Sequence, residues 1–122
     1  MIEKLTKKPR PKITNGITEK VKLTCGNMYV TINYNDGEIF ELFATIGKSG
    51  GCTACQLYAL TTAVTMGIRY GVPLDVYIRK LVGARCPSIS IEDGVTYLSC
   101  VDVIGQLLDK KHKELKGTTK NE

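Results

Sequence analysis

Residues 47–52, Gly-Lys-Ser-Gly-Gly-Cys, set three glycines, a cation, a hydroxyl and a thiol side by side. Glycine lets the backbone approach a ligand closely, and the open N–H groups of a helix that starts here favour a negative charge. Lys48 adds a full charge and Ser49 a hydroxyl donor. A phosphate, or a nucleotide that carries one, is the natural guest, with Gly47, Lys48, Ser49, Gly50 and Gly51 as its contacts. The stretch is not a Walker A loop, because Leu42 stands where that pattern needs its first glycine. The plainer reading is a glycine-rich strand-to-helix turn with Lys48 on the surface. A second cluster, Arg85-Cys86-Pro87-Ser88, offers a guanidinium able to grip phosphate through two parallel bonds, with Ser88 beside it. Tyr29 or Tyr97 would supply a stacking ring for a base, unless they belong to the core.

Cys52-Thr53-Ala54-Cys55 has redox spacing, and a helix N-terminus lowers a thiol's pKa. A thioredoxin-like context needs βαβ topology, which the chain lacks. There is no Ser/His/Asp set and no histidine-rich metal site. His112, the only histidine, is expected to be exposed and inert in a basic tail. These residues point to a binder rather than an enzyme.

The elements that must hold these groups follow from periodicity. Lys8-Pro9-Arg10-Pro11-Lys12 reads as an extended linker. Strand alternation begins at Glu19, turns at Cys25-Gly26-Asn27, and resumes with Met28, Val30 and Ile32. Asp36-Gly37 marks a hairpin. A third strand, 38–46, places Phe40, Leu42, Ala44 and Ile46 on one face. Helical spacing then groups Leu57, Leu60, Val64 and Ile68, with Gly71 closing that helix. Leu74, Ile78, Leu81 and Val82 form the next stripe. The stretch around Ser-Ile-Ser-Ile-Glu-Asp-Gly is read as a polar, flexible ligand loop. Ser99 with Asp102 looks like a capping box, followed by inward Val101, Ile104 and Leu108 and a fraying tail. The expected architecture is α+β: a three-stranded antiparallel β-meander followed by two or three helices packed on one face. Residues 1–18 are a basic, proline-containing linker, 19–108 the domain, and 109–122 a basic C-terminal tail.

At 122 residues and 43% hydrophobic content, the chain can bury one core without disulfides. Its net charge of +5 sits mainly in the two ends. Lys4, Lys7, Lys8, Arg10 and Lys12 face only Glu3 in the first twelve residues, which leaves the middle near neutral. Solvated ends explain this more simply than a nucleic-acid surface, and no sequence-specific nucleic-acid motif occurs. No run is long and apolar enough for a membrane span, and the start lacks the apolar stretch of a secretory signal. Five cysteines without export suit a reducing cytoplasm, which would be a host's cytoplasm if the chain were viral.

The segments Thr-Cys-Gly at 24–26, Gly-Lys-Ser-Gly-Gly-Cys at 47–52, Leu-Val-Gly-Ala-Arg-Cys at 81–86 and Leu-Ser-Cys-Val-Asp at 98–102 occur in an order that resembles the TSCPD domain. That domain is found at the C-terminus of cobalamin-dependent (class II) ribonucleotide reductases and in small stand-alone proteins. The likeness runs over roughly residues 7–108, and the proline-containing segment resembles the linker to the reductase body. The chain departs at 98–102, where Leu98 and Val101 replace the threonine and proline of the signature, and Cys55 is extra to the pattern. The resemblance makes Cys25, Cys52, Cys86 and Cys100 the four family cysteines. Four such thiolates hold zinc tetrahedrally; here the gaps are long and no paired C-x2-C knuckles occur, so small thiols packed under helices are the alternative.

Three readings result. The first is a non-catalytic module for a phosphate-bearing nucleotide, either a regulator or a phage-type sponge that sequesters a nucleotide signal. The second, which the resemblance implies, is a zinc-binding accessory domain that partners ribonucleotide reductase. The third is weak polyanion binding through the basic tails. A small one-sided sheet with uncovered edges also predicts a homo-oligomer.

Overall fold

The computed structural model describes residues 6–47 and 51–120, the side chains of residues 118–120 excepted. Three antiparallel strands, β1 (Asn15–Leu23), β2 (Gly26–Asn35) and β3 (Glu38–Ile46), form a sheet in chain order. Asp36 (φ 52°) and Gly37 (φ 78°) take the left-handed turn that joins β2 to β3. α1 (Gly51–Arg69) and α2 (Leu74–Leu81) follow. A small hairpin, β4 (Ser90–Glu92) and β5 (Val95–Tyr97), leads into α3 (Cys100–Lys120). This is the expected α+β meander with three helices.

The core forms where the sheet's inner rows meet two helices. Val21 opposes Met28, and Met28 opposes Ile46; Ile32 opposes Leu42. These side chains are buried together with Leu57, Val64 and Ile68 of α1 and Val103, Ile104, Leu107 and Leu108 of α3. α1 also closes the open edge of β3. The Thr65 hydroxyl accepts from the Leu42 amide at 3.0 Å and donates to the Leu42 carbonyl at 3.1 Å. An edge strand's unpaired groups are thus satisfied from the helix.

Four expectations are corrected. The pairing steps from Asn33–Glu41 to Tyr34–Ile39, leaving Phe40 in a bulge. Ile39 therefore turns inward and Phe40 is only half-buried. On α3, Val103 and Leu107 are buried, whereas Val101 is half-buried. The segment read as a flexible loop is the β4–β5 hairpin, turned by Asp93 (φ 52°) and Gly94 (φ 80°). Finally, α3 runs unbroken to Lys120 through the segment expected to fray.

The proline-containing segment is not a loose linker either. The Lys8 amide donates to the Arg69 carbonyl at 2.8 Å. Arg10 grips Glu41 through Nε to Oε1 (3.0 Å) and Nη2 to Oε2 (2.9 Å), and Asn33 Nδ2 donates to Oε2 at 2.6 Å. Glu41 points to the sheet's outer face, yet these partners leave it only 2% exposed.

Candidate functional site

The sheet end that carries the β1–β2 turn collects the chain's chemistry. The Gly47 amide donates to the Asn27 carbonyl at 2.9 Å, so β3 ends beside the start of β2. α1 opens four residues later at Gly51, with no acidic residue in its first turn. α3 starts at the same end. Ser99 caps it, its Oγ accepting from the Asp102 amide at 2.9 Å while donating to the Ala84 carbonyl at 2.6 Å. The capping box is only half formed. The Asp102 carboxylate, 1% exposed, accepts from the Gly83 amide (2.8 Å), the Leu98 amide (2.9 Å) and Gln106 Nε2 (2.7 Å). It therefore ties the segment after α2 to the start of α3.

Two further bonds fix the thiols. The Cys86 amide donates to the Leu98 carbonyl at 3.0 Å, and the Thr24 amide donates to Ser90 Oγ at 2.8 Å. Cys25, Cys86 and Cys100 are thereby brought into one corner. Burial pushes the Cys100 thiol up first, and the neighbouring Cys25 and Cys86 push it further, since adjacent thiolates repel. The Cys86 thiol donates to the Ser88 carbonyl at 3.4 Å.

The other anticipated residues are placed as follows. Gly47 and Gly51 flank the junction, and a Cβ on either would meet no atom of the described residues within 4 Å. Lys48, Ser49 and Gly50 lie outside the described residues. Arg85 is exposed and Ser88 half-buried in the segment that leads to β4. Cys52 is exposed on α1, its sulfur accepting from Gln56 Nε2 at 3.6 Å. Three of the four thiols named by the resemblance thus converge, while the fourth sits on the neighbouring helix. Among the described residues no group of three or more His, Cys, Asp and Glu side chains stands close enough to hold a metal ion. The zinc fit is therefore incomplete. Tyr97 is 7% exposed and belongs to the core, and its hydroxyl is pushed up by burial and then by Glu19 and Glu92. That excludes it as a stacking ring. Tyr29 is exposed on the sheet face opposite the helices, although it pairs with Thr45 close to the junction.

The sequence reading missed Asp102 as a tie and Glu41 as a buried anchor. In the sequence Asp102 reads as part of a cap alone, and Glu41 as one polar residue of an alternating strand. No helix among the described residues is long and apolar enough to cross a membrane.

Comparison with known proteins adds the family. A vitamin B12-dependent ribonucleotide reductase of Streptantibioticus cattleyicolor is 33% identical over 88 residues, which is 71% of this chain and 15% of that protein. The reductase of Streptomyces clavuligerus is likewise 33% identical over 88 residues, 9% of its length. That of Rhodopirellula baltica is 30% identical over 89 residues, again 9% of its length. The chain thus matches a small part of each of these relatives. No solved structure matches it. The TSCPD domain model matches residues 3–112, and the chain belongs to the TSCPD domain family.

Proposed function

We propose that this chain is a non-catalytic module that captures a phosphate-bearing nucleotide at the end where α1 and α3 begin. The observation that carries the reading is the opening of α1: a Cβ on Gly47 or Gly51 would meet no atom of the described residues within 4 Å, and the first turn contains no acidic residue. The helix dipole there is left for an outside anion. Lys48, Ser49 and Gly50 complete the cradle in this reading. Arg85 and Ser88, fastened at the same end through the Asp102 ties, reach the ligand from the other side. The relatives' names support a nucleotide as the ligand class, because those proteins are ribonucleotide reductases. The chain would act in the cytoplasm as a regulator or a sponge. It would pair with further copies through the outer sheet face, where Tyr29 and Phe43 are exposed. Sedimentation velocity at micromolar concentration checks the pairing, and a clean monomer would rule it out.

Isothermal titration against nucleoside mono-, di- and cyclic phosphates tests the main reading. Binding should weaken about 10–100-fold in Lys48→Ala and in Arg85→Ala, the worth of one charge-assisted bond. No heat with any nucleotide removes the proposal.

A second reading, a zinc-holding accessory domain of a ribonucleotide reductase, draws on the shared corner of Cys25, Cys86 and Cys100. It requires Cys52 to turn from Gln56 and join them, and four thiolates there would hold zinc as a structural tie. Metal analysis of tag-free protein decides: one equivalent of zinc that resists dialysis supports it, and zinc-free protein refutes it.

A further inference from the structure

A cavity of about 420 Å³ lies at the opposite end of the molecule, enclosed by the Asp36–Gly37 turn, the α1–α2 connection and the later turns of α3. Its size is within the range of small-molecule sites. Ile39 and Ile68, both buried, line it together with Leu74, which gives an apolar floor. Three basic side chains line it as well: Lys8 from the N-terminal segment, and His112 and Lys116 one turn apart on α3.

These basic groups are placed rather than scattered. Lys8 belongs to the segment held by the hydrogen bond from its own amide to the Arg69 carbonyl, by Arg69 Nε donating to the Lys8 carbonyl at 3.3 Å, and by the Arg10–Glu41 grip two residues on. None of the ion pairs among the described residues engages the side chains of Lys8, His112 or Lys116. Of the two carboxylates in the lining, Asp75 is already bonded to Arg79 at 2.8 Å. Glu38 is left to balance Lys8 and Lys116, so the lining keeps a positive excess. Apolar side chains beside a positive excess favour one kind of guest, because the body gains by leaving water and the charged end keeps an opposite partner.

We propose that this cavity is a second ligand site, separate from the end where α1 and α3 begin, for a small molecule with an apolar body and a single anionic end. The test uses phenyl phosphate and benzoate as probes and phenol as the uncharged control, followed by amide chemical shifts of the whole chain. Phenyl phosphate should shift the amides of Gly37, Gly71, Leu74 and His112 and bind at least about tenfold more tightly than phenol. The exposed double variant Lys8→Glu/Lys116→Glu, whose amide spectrum reports whether it is folded, should lose that preference. Equal binding of phenol and phenyl phosphate would overturn the proposal. So would an unchanged preference in the folded double variant, or the absence of shifts at millimolar probe. Shifts confined to Gly47, Gly51 and Cys100 would place the probe at the other end and also overturn it, while leaving the nucleotide reading intact.

Discussion

At Glu41 two opposing effects act on one carboxyl. Burial pushes it up, but the hydrogen bonds from Arg10 and Asn33, with the charges of Arg10 and Arg69, together hold it below the usual value. A carboxyl lowered in the folded state stabilises the fold above its unfolded pKa, and that contribution is lost as pH falls through the folded value. Glu41→Gln should therefore flatten the fall of stability between about pH 5 and pH 3, the usual carboxylate range. Arg10→Met, which leaves the carboxylate without its cation, should move the acid midpoint upward in pH. Urea unfolding across that range checks both, and unchanged slopes would contradict the account. The thiols give a second residue-scale outcome. Cys25, Cys52 and Cys55 are exposed, whereas Cys100 is partly buried with its thiol pushed up. Iodoacetamide at mildly alkaline pH should label those three before Cys100, as read by peptide mass mapping. Early labelling of Cys100 would mean that the corner is open.

Elements are joined here by a few polar ties that periodicity does not reveal. Thr65 is the clearest, because its hydroxyl both accepts from and donates to Leu42 on the edge of β3. Thr65→Val keeps the shape and removes both bonds, and should cost about 1–3 kcal/mol in chemical unfolding. A cost near zero would show that water replaces the hydroxyl. Gly105 marks a closer approach. A Cβ there would come within 2.7 Å of the Val82 nitrogen and 2.9 Å of the Leu81 carbonyl carbon, so α3 crosses the end of α2 at a distance only glycine permits.

For the molecule as a whole, the two ends divide the chemistry. Three thiols and the starts of α1 and α3 gather at one, and an apolar cavity lined by basic side chains, with the start of α2, lies at the other. The N-terminal segment links the second end to the sheet. Deleting residues 1–11 leaves β1 whole, yet it removes Lys8 and Arg10. The deletion should lower the thermal midpoint by about 2–6 °C. It should also abolish the preference of the cavity for phenyl phosphate over phenol. A free linker would leave both unchanged.

The local elements were legible in the chain because their signals are local. Alternation marked the strands, Asp36-Gly37 the hairpin, and Gly71 the turn that follows the first helix. Asp93-Gly94 carried the same signal for the second hairpin, although the polar segment around it was read as a loop. The cysteine order and the Gly47–Cys52 motif disclosed the family. Everything that depends on separate segments meeting was settled by folding. The Phe40 bulge exchanged which residue faces inward, Asp102 reached back nineteen positions to Gly83, and Arg10 found Glu41 thirty-one positions away. Long-range partners are chosen by how helices and sheet bury one another's apolar faces, and no window of neighbouring residues contains that information.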